Sequence, residues 1–168
     1  MTHFKRILLA TDFSESASNA AALALSIAGL SGAKLIVLHV TVPITQGEDV
    51  DISSFAEIAD LDEINQELLT EAQGRLSRFV ERYLSPKAGE SGADWPEVET
   101  RVVSNAVPKR IIISKAQEFE ADLIVVGTQG RSGLSRMLVG STAEYIVRSS
   151  PIPVLTTRVA NEKDNEKG

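Results

Sequence analysis

Ala121-Asp122-Leu123-Ile124-Val125-Val126-Gly127-Thr128-Gln129-Gly130 is the stretch whose reading decides the fold. Asp122 to Val126 holds a continuous apolar run of strand length, which reads as a strand buried on both faces. The glycines that follow end it in a turn. Similar runs stand at Ile7-Leu8-Leu9-Ala10 and Leu35-Ile36-Val37-Leu38-His39-Val40. Val98 to Val103 alternates as a third strand does, and Pro151-Ile152-Pro153-Val154-Leu155-Thr156 closes the series. Strands buried on both faces need helices above and below, and the segments between them supply those helices.

Ser14 is an N-cap type, with Glu15 in the first turn, for a helix running to about Leu30. Ala20, Leu23, Ala24, Ile27 and Ala28 share one face by helical spacing, and Gly29 and Gly32 offer its C-terminal stop. Helical periodicity recurs through Leu68, Leu69, Ala72, Leu76, Phe79, Val80 and Tyr83. Pro108 opens a third helix through Ile111, Ile112, Ala116 and Phe119, and a fourth covers Ser141 to about Arg148. Strand–helix repeated four times, then a terminal strand, predicts a single α/β domain with a parallel, doubly wound sheet and right-handed crossovers. Ligands of such sheets bind beyond the carboxyl ends of the strands, where the winding reverses. The candidate places are the turns after Ala10, Val40 and Val126.

A chain of 168 residues suits one domain, and 43% hydrophobic with 24% charged residues is enough to bury a core. A net charge of −6 argues against nucleic-acid binding, which needs a surplus of Lys and Arg. The absence of cysteine removes disulfides, thiolate metal sites and a Cys nucleophile. The apolar run after Lys5-Arg6 is interrupted by Asp12, too short for a signal-peptide core, and no run approaches the roughly 20 residues of a membrane span. A soluble, cytoplasmic protein is expected. From Pro43 to about Asn65 the pattern lapses into an acidic insertion with Glu48, Asp49, Asp51, Glu57, Asp60, Asp62 and Glu63 and no Lys or Arg between them. It reads as a solvated loop, the alternatives being a cover over a ligand or a partner contact, and its charge favours a position away from any phosphate. Residues 1–158 form the expected domain, and 159–168 a flexible polar tail.

The chemistry concentrates between Gly127 and Thr142. Glycines let backbone amides approach an anion closely. Gly140-Ser141-Thr142 opens a helix whose free amides and positive dipole end face the same place. The Ser141 and Thr142 hydroxyls add donors, and Arg131 and Arg136 add cations. Two readings of these residues stand: a polyphosphate cradle, or glycines that serve the turn with Ser141 as an N-cap. Neither a Walker Gly-Lys-[Ser/Thr] nor the dinucleotide Gly-x-Gly-x-x-Gly pattern is present.

The spacing Gly127-x2-Gly130-x9-Gly140-Ser141, set between Ala121–Val126 and Pro151–Leu155, resembles the nucleotide-binding signature of the universal stress protein family in its ATP-binding branch. Ile7-Leu8-Leu9-Ala10-Thr11-Asp12-Phe13-Ser14 resembles the family's first strand and turn, and the likeness runs from about Lys5 to Arg158. It implies a five-stranded parallel sheet in the order 3-2-1-4-5, helices on both faces, and ATP across the carboxyl edge. It implies nucleoside contacts at Thr11 and Asp12 and adenine pairing with the Val40 backbone. Ribose and phosphates would fall to Gly127, Gly130, Arg131, Gly140, Ser141 and Thr142. Mg²⁺ or Mn²⁺ would be held by phosphate oxygens and water rather than by side chains. Ala106-Val107-Pro108 departs from the Gly-x-Pro found in many relatives, which bears on the turn after strand three more than on the phosphate site.

No catalytic residue is assigned. His3 precedes the first strand and reads as exposed, His39 reads as a hydrogen-bonded core imidazole, and no Ser-His-Asp or His-x-x-x-His arrangement can be found. The resemblance also implies a homodimer formed through the last strand, Pro153 to Thr157, because exposed sheet edges invite pairing. The expected function is an ATP-dependent sensor or regulator acting on a protein partner. The alternatives are a slow ATPase and an interaction protein with a vestigial site.

Overall fold

The structure, a computed structural model, describes residues 3–45, 61–86, 95–128 and 140–158. In chain order the elements are β1 (Arg6–Ala10), α1 (Glu15–Ser31), β2 (Lys34–Thr41), α2 (Leu61–Tyr83), β3 (Val98–Ser104), α3 (Pro108–Glu118), β4 (Leu123–Gly127), α4 (Ser141–Ser149) and β5 (Val154–Thr157). The five strands form one parallel sheet in the order β3-β2-β1-β4-β5, as expected.

Alternation along each strand divides the apolar runs between two cores. Ile7, Leu9, Leu35, Val37, Leu123 and Val125 face α1 and α2, while Leu8, Ala10, Ile36, Leu38, Ile124 and Val126 face α3 and α4. Burial on both faces is why these runs lack polar interruptions.

Several boundaries differ from the sequence reading. The buried face of α1 is Ala17, Ala20, Ala21, Ala24 and Ala28, and Leu23 is exposed. The alanines let the helix axis approach the sheet, and the leucine lies outside the resulting contact. Gly32, with φ 66°, is the C-cap; Gly29 lies within the helix. α2 starts at Leu61, four residues before Asn65, with Asp62 and Glu63 in its first turn, where acids complement the helix dipole. Most of the acidic insertion, 46–60, and the tail from 159 lie outside the described residues. β5 begins at Val154, so Pro151, Ile152 and Pro153 precede it rather than belong to it. No helix among the described residues is long and apolar enough to cross a membrane.

Candidate functional site

β1 lies between β2 and β4, so the chain leaving β1 and the chain leaving β4 turn to opposite faces and open a crevice at the carboxyl edge. Three segments meet there. The first is the turn into α1. The Thr11 amide donates to the Leu38 carbonyl at 2.9 Å, continuing the β1–β2 ladder by one bond. Thr11 Oγ1 accepts from the Phe13 amide at 3.1 Å, and Asp12 Oδ1 accepts from the Ser14 amide at 3.0 Å. Ser14 caps α1 by accepting from the Ala17 amide.

This turn is tight enough to place Phe13 at φ 66°, a conformation costly for an aromatic residue. Packing offsets the cost. The Phe13 ring lies 4.3 Å from the His39 ring and 5.8 Å from Phe79, with the Arg75 guanidinium 4.5 Å from its centroid. His39 Nδ1 is 2.7 Å from the Thr11 carbonyl oxygen. A carbonyl only accepts, so Nδ1 carries the hydrogen and donates. The imidazole is hydrogen-bonded, as expected, but half-buried at the end of the strand rather than in the core, and it pins the turn that presents Asp12.

The second segment is the end of β2. Its register with β1 stops at Ala10 opposite Leu38. Backbone groups alternate sides along a strand, and Thr41 accepts from Asn105 on the β3 side. Val40, two residues beyond Leu38, therefore turns its N–H and C=O toward the space that β1 has left. A strand edge of this kind offers one donor and one acceptor to a flat heterocycle.

The third segment spans the exit of β4 and the start of α4. The N-cap of α4 is Gly140, whose lack of a side chain leaves the first turn without a side-chain cap. Ser141 is the first helical residue and not the cap. Among the described residues, the amides of Ser141 and Thr142 and the dipole of α4 thus remain available to an anion. The third helix, α3, also begins without a side-chain cap; its first turn holds Lys109 and Arg110 and no acid, whereas that of α4 carries Glu144.

These segments enclose a cavity of about 340 Å³, within the size range of small-molecule sites. Thr11, Asp12, Val40, Gly127, Gly140, Ser141 and Thr142 all line it, although they come from four separate parts of the chain. Gly130 and Arg131 lie outside the described residues. Pro108 and Ile112 of α3, with His39 and Ala143, complete the wall and were not singled out from the sequence as binding residues. The topology held the signal for the first two, since α3 starts at the same carboxyl edge.

Gly127 has a second role. A Cβ there would lie 2.7 Å from the Ser16 carbonyl carbon and 2.9 Å from the Ala17 nitrogen, so the glycine admits the first turn of α1 against β4. Among the described residues, no group of three or more His, Asp or Glu side chains is placed to hold a metal ion.

Comparison with known proteins places this geometry in a family. The profile of the universal stress protein family matches residues 3–158. A putative universal stress protein of Staphylococcus aureus (strain USA300) is 34% identical over 160 residues, covering 94% of this chain and 86% of its own. Among solved structures, the hypothetical protein MJ0577 superposes with a TM-score of 0.73 at 25% identity, covering 96% of this chain and 100% of its own. A universal stress protein solved in complex with cAMP superposes at 0.56 with 26% identity, covering 95% of this chain and 100% of its own. With the 3-2-1-4-5 sheet and the glycine spacing before α4, the match from residue 3 to 158 shows that this chain belongs to the universal stress protein family.

Proposed function

We propose that the protein binds ATP at the carboxyl edge of its sheet and works as a nucleotide-dependent sensor or regulator. The observation that carries this reading is the convergence of the uncapped α4 start, the Asp12 carboxylate and the Val40 backbone edge on one cavity. The cAMP complex of a structural neighbour supports an adenine nucleotide as the ligand class. Val40 supplies a donor and an acceptor for the adenine edge, and Asp12 accepts from ribose hydroxyls. The amides and hydroxyls of Ser141 and Thr142 hold phosphate oxygens, Gly140 leaves the room for their approach, and Gly130 and Arg131 contribute from the preceding glycine segment. Mg²⁺ or Mn²⁺, bound through phosphate oxygens and water, neutralises charge that would otherwise repel Asp12.

No catalytic residue is assigned, and the reading is of binding rather than turnover. Among the described residues β5 pairs with β4 alone, so its outer edge offers strand pairing to a second copy, and the functional form is a cytoplasmic homodimer. Residues 1–158 act as the nucleotide-binding domain and 159–168 as a polar tail.

The test is mass spectrometry of small molecules released from gently purified protein, followed by calorimetric titration with ATP and Mg²⁺ and a check for ADP. ATP bound and intact over hours is expected. Steady conversion to ADP would make the protein a slow ATPase. No co-purified nucleotide and no binding would make the site vestigial and move function to the surfaces.

A further inference from the structure

Thr128, the first residue after β4, is 4% exposed and belongs to none of the assigned contacts with nucleotide. Its amide donates to the Thr157 carbonyl at 2.8 Å, and its Oγ1 donates to the same oxygen at 2.9 Å. Its own carbonyl accepts from the Gly140 amide at 2.6 Å. The two ends of the segment 129–139 are therefore joined directly, at the base of the glycine signature. Thr157 Oγ1 in turn donates to the Ser16 carbonyl of α1 at 3.0 Å. One short hydrogen-bonded path thus runs from α1 through the end of β5 to the cap of α4.

We propose that Thr128 is a positioning residue for the phosphate end of the cavity: its hydroxyl locks the β4 exit to Thr157, and its carbonyl holds Gly140 where the α4 amides meet the ligand. The proposal rests on the nucleotide reading above. Amide–phosphate bonds are directional, so an α4 start that wanders in the free protein binds only in the fraction of time it is in place. Apparent affinity falls by that fraction. Losing the hydroxyl leaves the Thr128 amide bond to Thr157 in place, so the link is loosened rather than cut.

The experiment compares the unsubstituted protein with Thr128→Val, Thr128→Ser and Thr157→Val by ATP·Mg²⁺ calorimetry, thermal unfolding without nucleotide, and hydrogen exchange of the Gly140 amide. Thr157→Val removes a hydroxyl bond of similar length from the same path but leaves both Thr128 donors their acceptor. Thr128→Val is expected to bind about 5- to 10-fold more weakly, the scale of one ordinary hydrogen bond. Thr128→Ser and Thr157→Val are expected to bind within about 2-fold of the unsubstituted protein, although Thr157→Val melts lower. The Gly140 amide should be protected in the unsubstituted protein and exchange faster in Thr128→Val. Unchanged affinity in Thr128→Val, equal weakening in Thr157→Val, or an unprotected Gly140 amide in the unsubstituted protein would overturn the proposal. Should Thr128→Val not fold, weak binding by the folded Thr128→Ser would do the same. If the unsubstituted protein binds no ATP, the nucleotide reading falls, and Gly140 exchange still decides whether Thr128 holds the α4 start.

Discussion

Gly127→Ala places a methyl group where β4 meets the first turn of α1. The new carbon would lie 2.7 Å from the Ser16 carbonyl carbon and 2.9 Å from the Ala17 nitrogen, both main-chain atoms that no rotamer change can move. α1 must shift as a body or β4 must bend, and overpacking of this kind costs about 1–3 kcal/mol. Gly127 is not in the left-handed region, so alanine also recovers about 0.4–1 kcal/mol by restricting the unfolded chain. A net loss of about 1.3 kcal/mol lowers the melting temperature of a domain this size by roughly 3–5 °C. Gly32→Ala is the contrasting case: φ is 66° and nothing lies within 4 Å, so its cost is conformational, about 1–2 kcal/mol. Differential scanning calorimetry of both variants, with ATP titrations alongside, checks the argument. Gly127→Ala should lose both stability and ATP affinity, because the displaced α1 start carries the Asp12 turn with it. Gly32→Ala, at the far end of α1, should lose stability alone. An unchanged melting temperature in Gly127→Ala would refute the packing argument, and lost affinity at that unchanged temperature would assign the glycine to the ligand instead.

Asp12→Ala should weaken ATP binding by about 10- to 100-fold, the range for a hydrogen bond to a charged group. Asp12→Asn should fall between, since an amide oxygen can still accept from Ser14 and keep the turn; calorimetric titration of the pair measures the difference. Gly140→Val should fold, because φ is −57° there, yet lose ATP binding by placing a branched side chain at the mouth of the α4 amides. Gly130→Val should lose binding as well, and wild-type affinity in both by calorimetry would remove the assigned site. His39→Leu deletes the 2.7 Å bond to the Thr11 carbonyl and should destabilise the protein by about 1–2 kcal/mol in urea titrations. A midpoint equal to that of the unsubstituted protein would show that the imidazole does not hold the turn.

The reading of the fold from sequence succeeded where local pattern and tertiary environment agree. Leu123–Val126, Ile7–Ala10 and Leu35–Leu38 had to be apolar throughout because both faces are covered, and that requirement is written in consecutive residues. Pro108 and Ser14 marked helix starts through the backbone groups they lack or satisfy. The differences have two causes. Leu23 fits the helical stripe as well as Ala24 does, and what separates them is how closely α1 approaches the sheet, which periodicity does not encode. The start of α2 was missed because Asp62 and Glu63 suit a solvated loop and a helix N-terminus equally.

The site divides in the same way. Composition and strand order determined by themselves that the chain is a doubly wound α/β domain, and glycine spacing marked the turn before its last helix. They also directed attention to Asp12, Val40 and Ser141. Only the tertiary structure decided that Gly127 is small for the sake of Ser16, that His39 secures Thr11, and that Thr128 joins Gly140 to Thr157. Each of these pairs is far apart in the chain. Local sequence records the conformational and burial preferences of neighbouring residues, whereas a contact between distant segments exists only once the sheet has brought them together.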